Sequence, residues 1–263
     1  MPRQLTILKF GGSVLRSEAD LLLGVNEVQR WLRGGHRVIA VVSAFEGTTD
    51  RLLAQSRHFA GEGTAAEETA RAMLLATGEF TTASLLGLAL ASRGVQSRVL
   101  GPQAINLRTR GSGADADPAS IDRPALLRSL DEAPVAVVPG FIGLDATGNF
   151  ALLGRGGSDL TALFLASELG ATRCRLIKDV DGVYDADPNA PGSTARRFEH
   201  LHWNDGLKLD GGIVQHKALR LAQDMGLRFE VGSWSREDVT AVGPEESRLF
   251  PAGAALLACA EAA

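Results

Sequence analysis

The chain has little cysteine: two residues in 263, Cys174 and Cys259, standing alone without metal-ligand spacing. That removes a thiolate metal site and makes each a small buried apolar residue, as a reducing cytoplasm would allow. An excess of basic charge is also missing. Lys and Arg number 27 against 31 Asp and Glu, a formal net charge of −4, so no positive field points to nucleic acid or an anionic membrane. No 18-residue apolar run free of charge occurs, and Met1 to Phe10 lacks the apolar stretch of an export signal. Neither a membrane span nor secretion is expected. His36, His58, His200, His202 and His216 form no His-x-x-x-His or Cys-His group, which argues against a protein-caged transition metal. Gly-x-x-x-x-Gly-Lys-Ser/Thr is absent, and no Gly-x-Gly-x-x-Gly follows the first apolar run, which disfavours a dinucleotide site. Repeats and low-complexity blocks are lacking too, and small ligands remain the default.

What is present is a repeated strand, loop, helix order. Leu5 to Phe10 reads as a buried strand entering Gly11-Gly12-Ser13, followed by helical spacing over Glu18 to Leu32. Arg37 to Val42 is a second buried strand, its loop Ser43 to Thr49 leading to a helix from about Asp50. Glu67 to Arg93 is an Ala- and Leu-rich helix with Thr77-Gly78-Glu79 inside it or at a break. Val99-Leu100 and Pro134 to Val138 add strands, and Arg108 to Asp122 reads as an exposed polar loop. Phe141 to Leu144 and Phe150 to Leu153 form a hairpin. A helix to Leu169, a strand at Cys174 to Ile177, helices at His202 to Leu209 and Ile213 to Met225, and a strand at Arg228 to Val231 complete the pattern. Ala254 to Cys259 suits a last edge strand and an interface. The order predicts an α/β fold with a mostly parallel sheet covered on both faces, its ligands beyond the strand C-termini.

Glycine loops sit at such ends. Gly154-Arg155-Gly156-Gly157-Ser158-Asp159 follows an apolar run and opens a helix, so its glycines admit close backbone approach and the helix N-terminus offers unpaired N–H groups to an anion. Arg155 adds a forked donor, and Asp159 suits orienting a cation or a phosphate-bound metal. A glycine turn capped by Ser158 or Asp159 would need the same residues. Lys9-Phe10-Gly11-Gly12-Ser13 can set an ammonium and backbone amides around phosphate oxygens, though Gly-Gly after a strand is also ordinary turn chemistry. Glu79 alone reads as a solvated helix residue, and Thr49 alone as an N-terminal cap.

Taken together, Lys9-Phe-Gly-Gly-Ser13, Val42-Ser43-Ala44 with Gly47-Thr48-Thr49-Asp50, Thr77-Gly78-Glu79, Gly154-Arg-Gly-Gly-Ser-Asp159 and Asp179-Val-Asp-Gly-Val-Tyr184 with Asp187-Pro188 resemble the amino acid kinase family. Their order and spacing are most similar to the catalytic region of aspartate kinases, over about residues 5 to 235. The resemblance implies a three-layer α/β/α fold, with residues 1–140 as a lobe for the phosphoryl acceptor and 141–263 as a lobe for ATP with magnesium. By the same resemblance Lys9 and Asp159 are catalytic, with Asp159 orienting Lys9. Lys9, Gly11, Gly12, Gly156, Gly157 and Ser158 meet the phosphates, while Tyr184 lies against the nucleoside with Asp179 or Asp181 hydrogen-bonding nearby. Ser43, Thr49, Glu79 and Arg155 hold the amino-acid substrate, Glu79 and Arg155 taking its ammonium and carboxylate. A homodimer is implied as well.

Three departures bear on activity. Ser13 is followed by Val14 where aspartate kinases carry Thr-Ser, as in the kinases for acetylglutamate or uridylate. Asn189 and Ile213 stand where two cations near the ATP phosphates belong, and Lys178 and Lys217 are the residues able to compensate. Domains of the regulatory ACT type are not expected. The expected activity is transfer of the ATP γ-phosphate to a carboxylate of aspartate or a related amino acid. The alternatives are a kinase of another acid or phosphate, and a silent nucleotide-binding, regulatory or storage protein on the same fold.

Overall fold

The computed structural model describes residues 4–59, 63–111, 113–234 and 236–251. Buried apolar runs become the central strands: β1 (Leu5–Phe10), β2 (Arg37–Val42), β6 (Val135–Pro139) and β9 (Arg173–Ile177). With β3 (Ser97–Val99), β10 (Phe198–His202), β11 (Phe229–Gly232), β12 (Thr240–Gly243) and β13 (Arg248–Leu249) they form one nine-stranded sheet, ordered β13-β10-β12-β11-β9-β1-β2-β6-β3. Pairing is parallel from β11 through β9, β1, β2 and β6 to β3, while β12 runs antiparallel to β11. The chain leaves β1 toward β2 on one side and later returns through β9 on the other, so the β1/β9 boundary is a topological switch point.

Strand alternation decides which side chains meet which helices. Leu5 and Ile7 of β1 and Cys174 and Leu176 of β9 face the core shared with α4 (Arg123–Glu132), α5 (Gly157–Leu169) and α7 (His216–Asp224). Leu8, Phe10 and Ile177 face the other core, with α1 (Leu21–Arg33) and α3 (Ala65–Ser92). By the same two-residue period, Lys9 and Lys178 fall on the α5 side. α2 (Thr48–His58) packs beside α3, and α6 (Trp203–Gly206) is a single turn. Among the described residues α3 is the one helix long and apolar enough by length and composition to cross a membrane; its inner face, including Glu79, lies in the core.

Several expectations need correction. Thr77-Gly78-Glu79 is not among them: it lies inside the helix, the first of the two readings given, with no break. Arg108 to Asp122 is not a plain loop: β4 (Arg108–Arg110) and β5 (Asp117–Ser120) join the hairpin β7 (Ile142–Leu144) and β8 (Phe150–Leu152) in a second sheet, ordered β5-β4-β7-β8. Most of β10 precedes the helix expected from His202, and β12 and β13 were not anticipated. Ala254 to Cys259 lies outside the described residues.

Candidate active site

Lys9, on the last turn of alternation in β1, is 5% exposed and points at Asp159 in the first turn of α5, Nζ to Oδ1 at 2.6 Å. Lys178, one residue beyond β9, donates from Nζ to the other carboxylate oxygen at 2.8 Å. One buried carboxylate thus holds two ammonium groups at the switch point. Burial opposes ionisation of Asp159, yet Lys178 and Lys9 override it and keep the carboxyl at about 2. Burial draws the Lys9 ammonium down to about 8, against the attraction of Asp159 and with repulsion from Lys178. A Cβ at Gly11 would lie 3.0 Å from Lys9 Nζ, so glycine there lets the ammonium sit over the backbone.

The start of α5 is built for close approach. Gly156 is left-handed at φ 73° and a Cβ there would meet Gln215 at 2.8 Å, while Gly140 leaves room for Ser158. The first-turn amides of Ser158 and Asp159 lack intrahelical acceptors by position, adjacent to the two lysines, while Gly157 N–H already donates to the Gly154 carbonyl at 3.0 Å. Phe141 adopts φ 68°, a costly conformation for a non-glycine residue. Its N–H donates to Thr161 Oγ1 at 3.1 Å and its carbonyl accepts from Leu153, which fixes the hairpin against the helix start.

On the side expected to hold the acceptor, the exits of β1 and β2 lie against α3. Ala44 N–H donates to Glu79 Oε1 at 3.3 Å, while Glu79 Oε2 is buried without a hydrogen-bond partner among the described residues. Burial raises the Glu79 carboxyl to about 7. A Cβ at Gly78 would stand 2.9 Å from Ala44 Cβ, so the glycine lets this loop rest on the helix. Ser43 and Thr49 are half-buried on the same loop and the start of α2, and Arg155 is exposed between its glycines, beside a shallow cavity with Asp115, Gln215 and His216.

A separate cavity of about 360 Å³ is lined by Val180, Gly182 to Asn189, Asp210 to Val214 and neighbouring apolar residues. Tyr184 borders it and donates its hydroxyl to Asp181 Oδ1 at 2.8 Å; burial and this carboxylate push the phenol up to about 12. Asp181 Oδ2 is held by Arg197 at 2.7 Å, and Asp179 is exposed. Sequence reasoning missed Arg197 and Thr240. Arg197 also donates to the Asp181 carbonyl and to Asp238, and the Thr240 hydroxyl accepts from Val183 N–H at 2.9 Å, so the two anchor the whole loop. The one sequence signal was Asp181 itself, a carboxylate in a buried turn that needs a counter-charge. Asn189 and Ile213 line the same cavity. Lys217 does not: its ammonium touches Asp115 Oδ1 (2.5 Å), the carbonyls of Ala116 (2.9 Å) and Leu153 (3.2 Å) and Asp117 (3.2 Å), tying α7 to the β4–β5 hairpin.

The chain as a whole is similar to known proteins. The profile of the amino acid kinase family matches residues 4–232. Aspartokinase from Bacillus sp. strain MGA3 is 33% identical over 92% of this chain and 59% of its own length, and aspartokinase 2 from Bacillus subtilis is 32% identical over 93% and 60%. The chain therefore spans about three fifths of the length of these curated relatives. Aspartate kinase from Synechocystis superposes with a TM-score of 0.76 at 28% identity, covering 94% of this chain and 41% of that one. Escherichia coli aspartokinase III, solved with lysine and aspartate, gives a TM-score of 0.76 at 22% identity over 92% of this chain and 65% of its own, a likeness of fold. With its matched length, switch-point site and sheet order, the chain belongs to the amino acid kinase family.

Proposed function

We propose that this chain transfers the γ-phosphoryl group of ATP to a carboxylate of aspartate or a closely related amino acid, giving an acyl phosphate and ADP. The observation that carries this reading is the Lys9–Asp159–Lys178 cluster at the start of α5, with β1 paired to β2, whose exit loop at Ala44 rests on Glu79 of α3. In the transfer, the bond from phosphorus to the β,γ-bridging oxygen breaks and one to a carboxylate oxygen forms. A carboxylate acceptor is already ionised, so no general base is required, and the work left to the protein is positioning and charge neutralisation. Two ammonium groups against one carboxylate leave a positive excess where charge develops, reinforced by the N-terminus of α5. Lys178 supplies a cation in a site whose usual positions hold Asn189 and Ile213, while the tether of Lys217 to Asp115 argues against a phosphate role for it. The Tyr184 cavity suits the nucleoside. Residues 1–140 carry the acceptor loop and 141–263 the nucleotide cavity.

Magnesium fits as part of the MgATP substrate. Both oxygens of Asp159 are taken by ammonium groups, and among the described residues no three His, Cys, Asp or Glu converge into a metal cage. The buried, unpartnered Glu79 Oε2 favours an acceptor bearing an ammonium over one bearing a second phosphate, because a dianion there would be repelled. The relatives' printed names support aspartate, and a cytoplasmic homodimer completes the reading. Incubation with MgATP, aspartate and hydroxylamine should yield a hydroxamate, and absence of ADP release across an amino-acid panel would refute the activity. Lys178→Met should lower kcat ~10–100-fold, the scale of one preorganised charge lost from the transition state. An unchanged kcat in steady-state assays would reduce Lys178 to a structural partner of Asp159.

A further inference from the structure

Two cations at the mouth of the glycine loop are in opposite conditions. The half-buried Lys217, in the first turn of α7, has three N–H donors and spends them all: on Asp115 Oδ1 at 2.5 Å, the Ala116 carbonyl at 2.9 Å and the Leu153 carbonyl at 3.2 Å. Asp117 stands 3.2 Å away as a second carboxylate. Nothing of that ammonium is left for a ligand. Arg155, two residues beyond Leu153, is exposed, and its guanidinium has neither an ion pair nor a hydrogen bond among the described residues.

Asp115 stands between them. Gly154 is left-handed at φ 74°, and a Cβ there would collide with Asp115 Oδ1, so this carboxylate rests on the backbone of the residue just before Arg155. Asp115, Arg155, Asp210, His216 and Lys217 line one shallow cavity. Asp210 Oδ1 accepts from Gly212 N–H at 2.8 Å and His216 Nε2 lies 2.8 Å from the Leu209 carbonyl, so each is committed to its own loop. Take away Lys217, and Asp115 loses its only charged partner among the described residues, while Arg155 becomes the one permanent cation lining the cavity. A solvent-facing pair is weak, yet it competes with a ligand carboxylate for the same forked donors. We propose that Lys217 is a positioning residue that withholds Asp115 from Arg155 and so keeps this guanidinium open to an anion. On the reading given above, on which this part rests, that anion is the carboxylate of the acceptor. Lys217 thus serves the acceptor by answering the acids of the β4–β5 hairpin, so that Arg155 does not.

Modification by phenylglyoxal, which reacts with unpaired guanidinium groups, reads the pairing of Arg155 with no substrate present, and peptide mass spectrometry gives its rate relative to the exposed Arg33 of the same chain. Arg155 should react at a rate comparable to Arg33 in the parent and at least ~3-fold more slowly in Lys217→Met, the scale of one solvent-facing ion pair. Lys217→Arg, which keeps the cation, should match the parent. Lys217→Met combined with Asp115→Asn should recover the parent rate, although it lacks the tether as well. In ADP-release assays Lys217→Met should raise KM for the acceptor by a similar ~3-fold, because apparent affinity scales with the free fraction of Arg155, with kcat and KM for ATP unchanged. The added Asp115→Asn should reverse that rise. Equal rates at Arg155 in the parent and Lys217→Met overturn the proposal, as does a double variant that stays slow, which would make Lys217 a mechanical tether. The expected rates in a chain that releases no ADP with any amino acid would uphold the guard over Arg155 and sink the phosphoryl-transfer reading alone.

Discussion

Asp159→Asn should lower turnover at least ~100-fold while leaving the fold intact, measured as ADP release under saturating MgATP and acceptor. The carboxylate joins two buried ammonium groups at 2.6 and 2.8 Å, and an amide of nearly the same shape removes the charge that lets them share one site. Lys9, already drawn down to about 8 by burial, then loses its stabilising neighbour while repulsion from Lys178 persists. In the parent, kcat/KM for ATP should fall as pH rises past about 8, because Lys9 must be charged to attract phosphate; in the variant that decline should move to lower pH. Stability follows a different limb. Asp159 has a folded value near 2 against 3.8 unfolded, so its contribution is present above the unfolded value and disappears as pH falls through the folded one. Parent-like turnover would remove Asp159 from the chemistry.

Glu79→Gln should make the protein more stable and nearly useless for amino-acid binding. Burial raises this carboxyl from 4.5 to about 7, so between those values the unfolded chain ionises first and stability falls as pH rises. Above about pH 7 the deficit is complete, at most about 3 kcal/mol, and glutamine does not carry it. Its carbonyl can still accept from Ala44 N–H. Calorimetric scans should show a Tm gain on the order of 5 °C at pH 8 that vanishes near pH 4.5. KM for the acceptor should rise at least ~30-fold, because the substrate ammonium loses its buried counter-charge. In the parent at pH 6, acceptor binding should release protons as the ammonium draws Glu79 back into its ionised form. A variant with equal Tm at both pH values and unchanged KM would show Glu79 to be an ordinary core polar residue.

The central strands were legible because continuous runs such as Val38 to Val42 and Val135 to Val138 can be buried on both faces. The small sheet was not, since Arg108-Thr109-Arg110 and Asp117-Pro118 carry polar residues and a proline that read as loop and pair only because β7 is beside them. β10 hid for a related reason: Phe-Glu-His-Leu-His alternates but joins a helix start at Trp203 without a turn residue. In the site, the glycine loops announced Lys9 and Asp159 because each placed a charge beside exposed backbone amides. That Lys178 shares Asp159 follows only from the parity and pairing of β1 and β9, a long-range fact. The partner of Lys217 was not legible either, because helical spacing from Ile213 says nothing about Asp115, which the fold brings in from the other sheet.

The pairing of Lys9 with Leu176 across adjacent parallel strands leaves no hinge between the two lysines. The loops proposed for donor and acceptor rise from one continuous hydrogen-bonded plate, and separating them would require tearing the β1–β9 ladder at the centre of the molecule. Whatever closing motion accompanies substrate must come from parts perched on that plate: the Tyr184 turn and the small sheet moored by Lys217. In the proposed transfer, Lys9 and Lys178 would thus stand on neighbouring strands of one sheet.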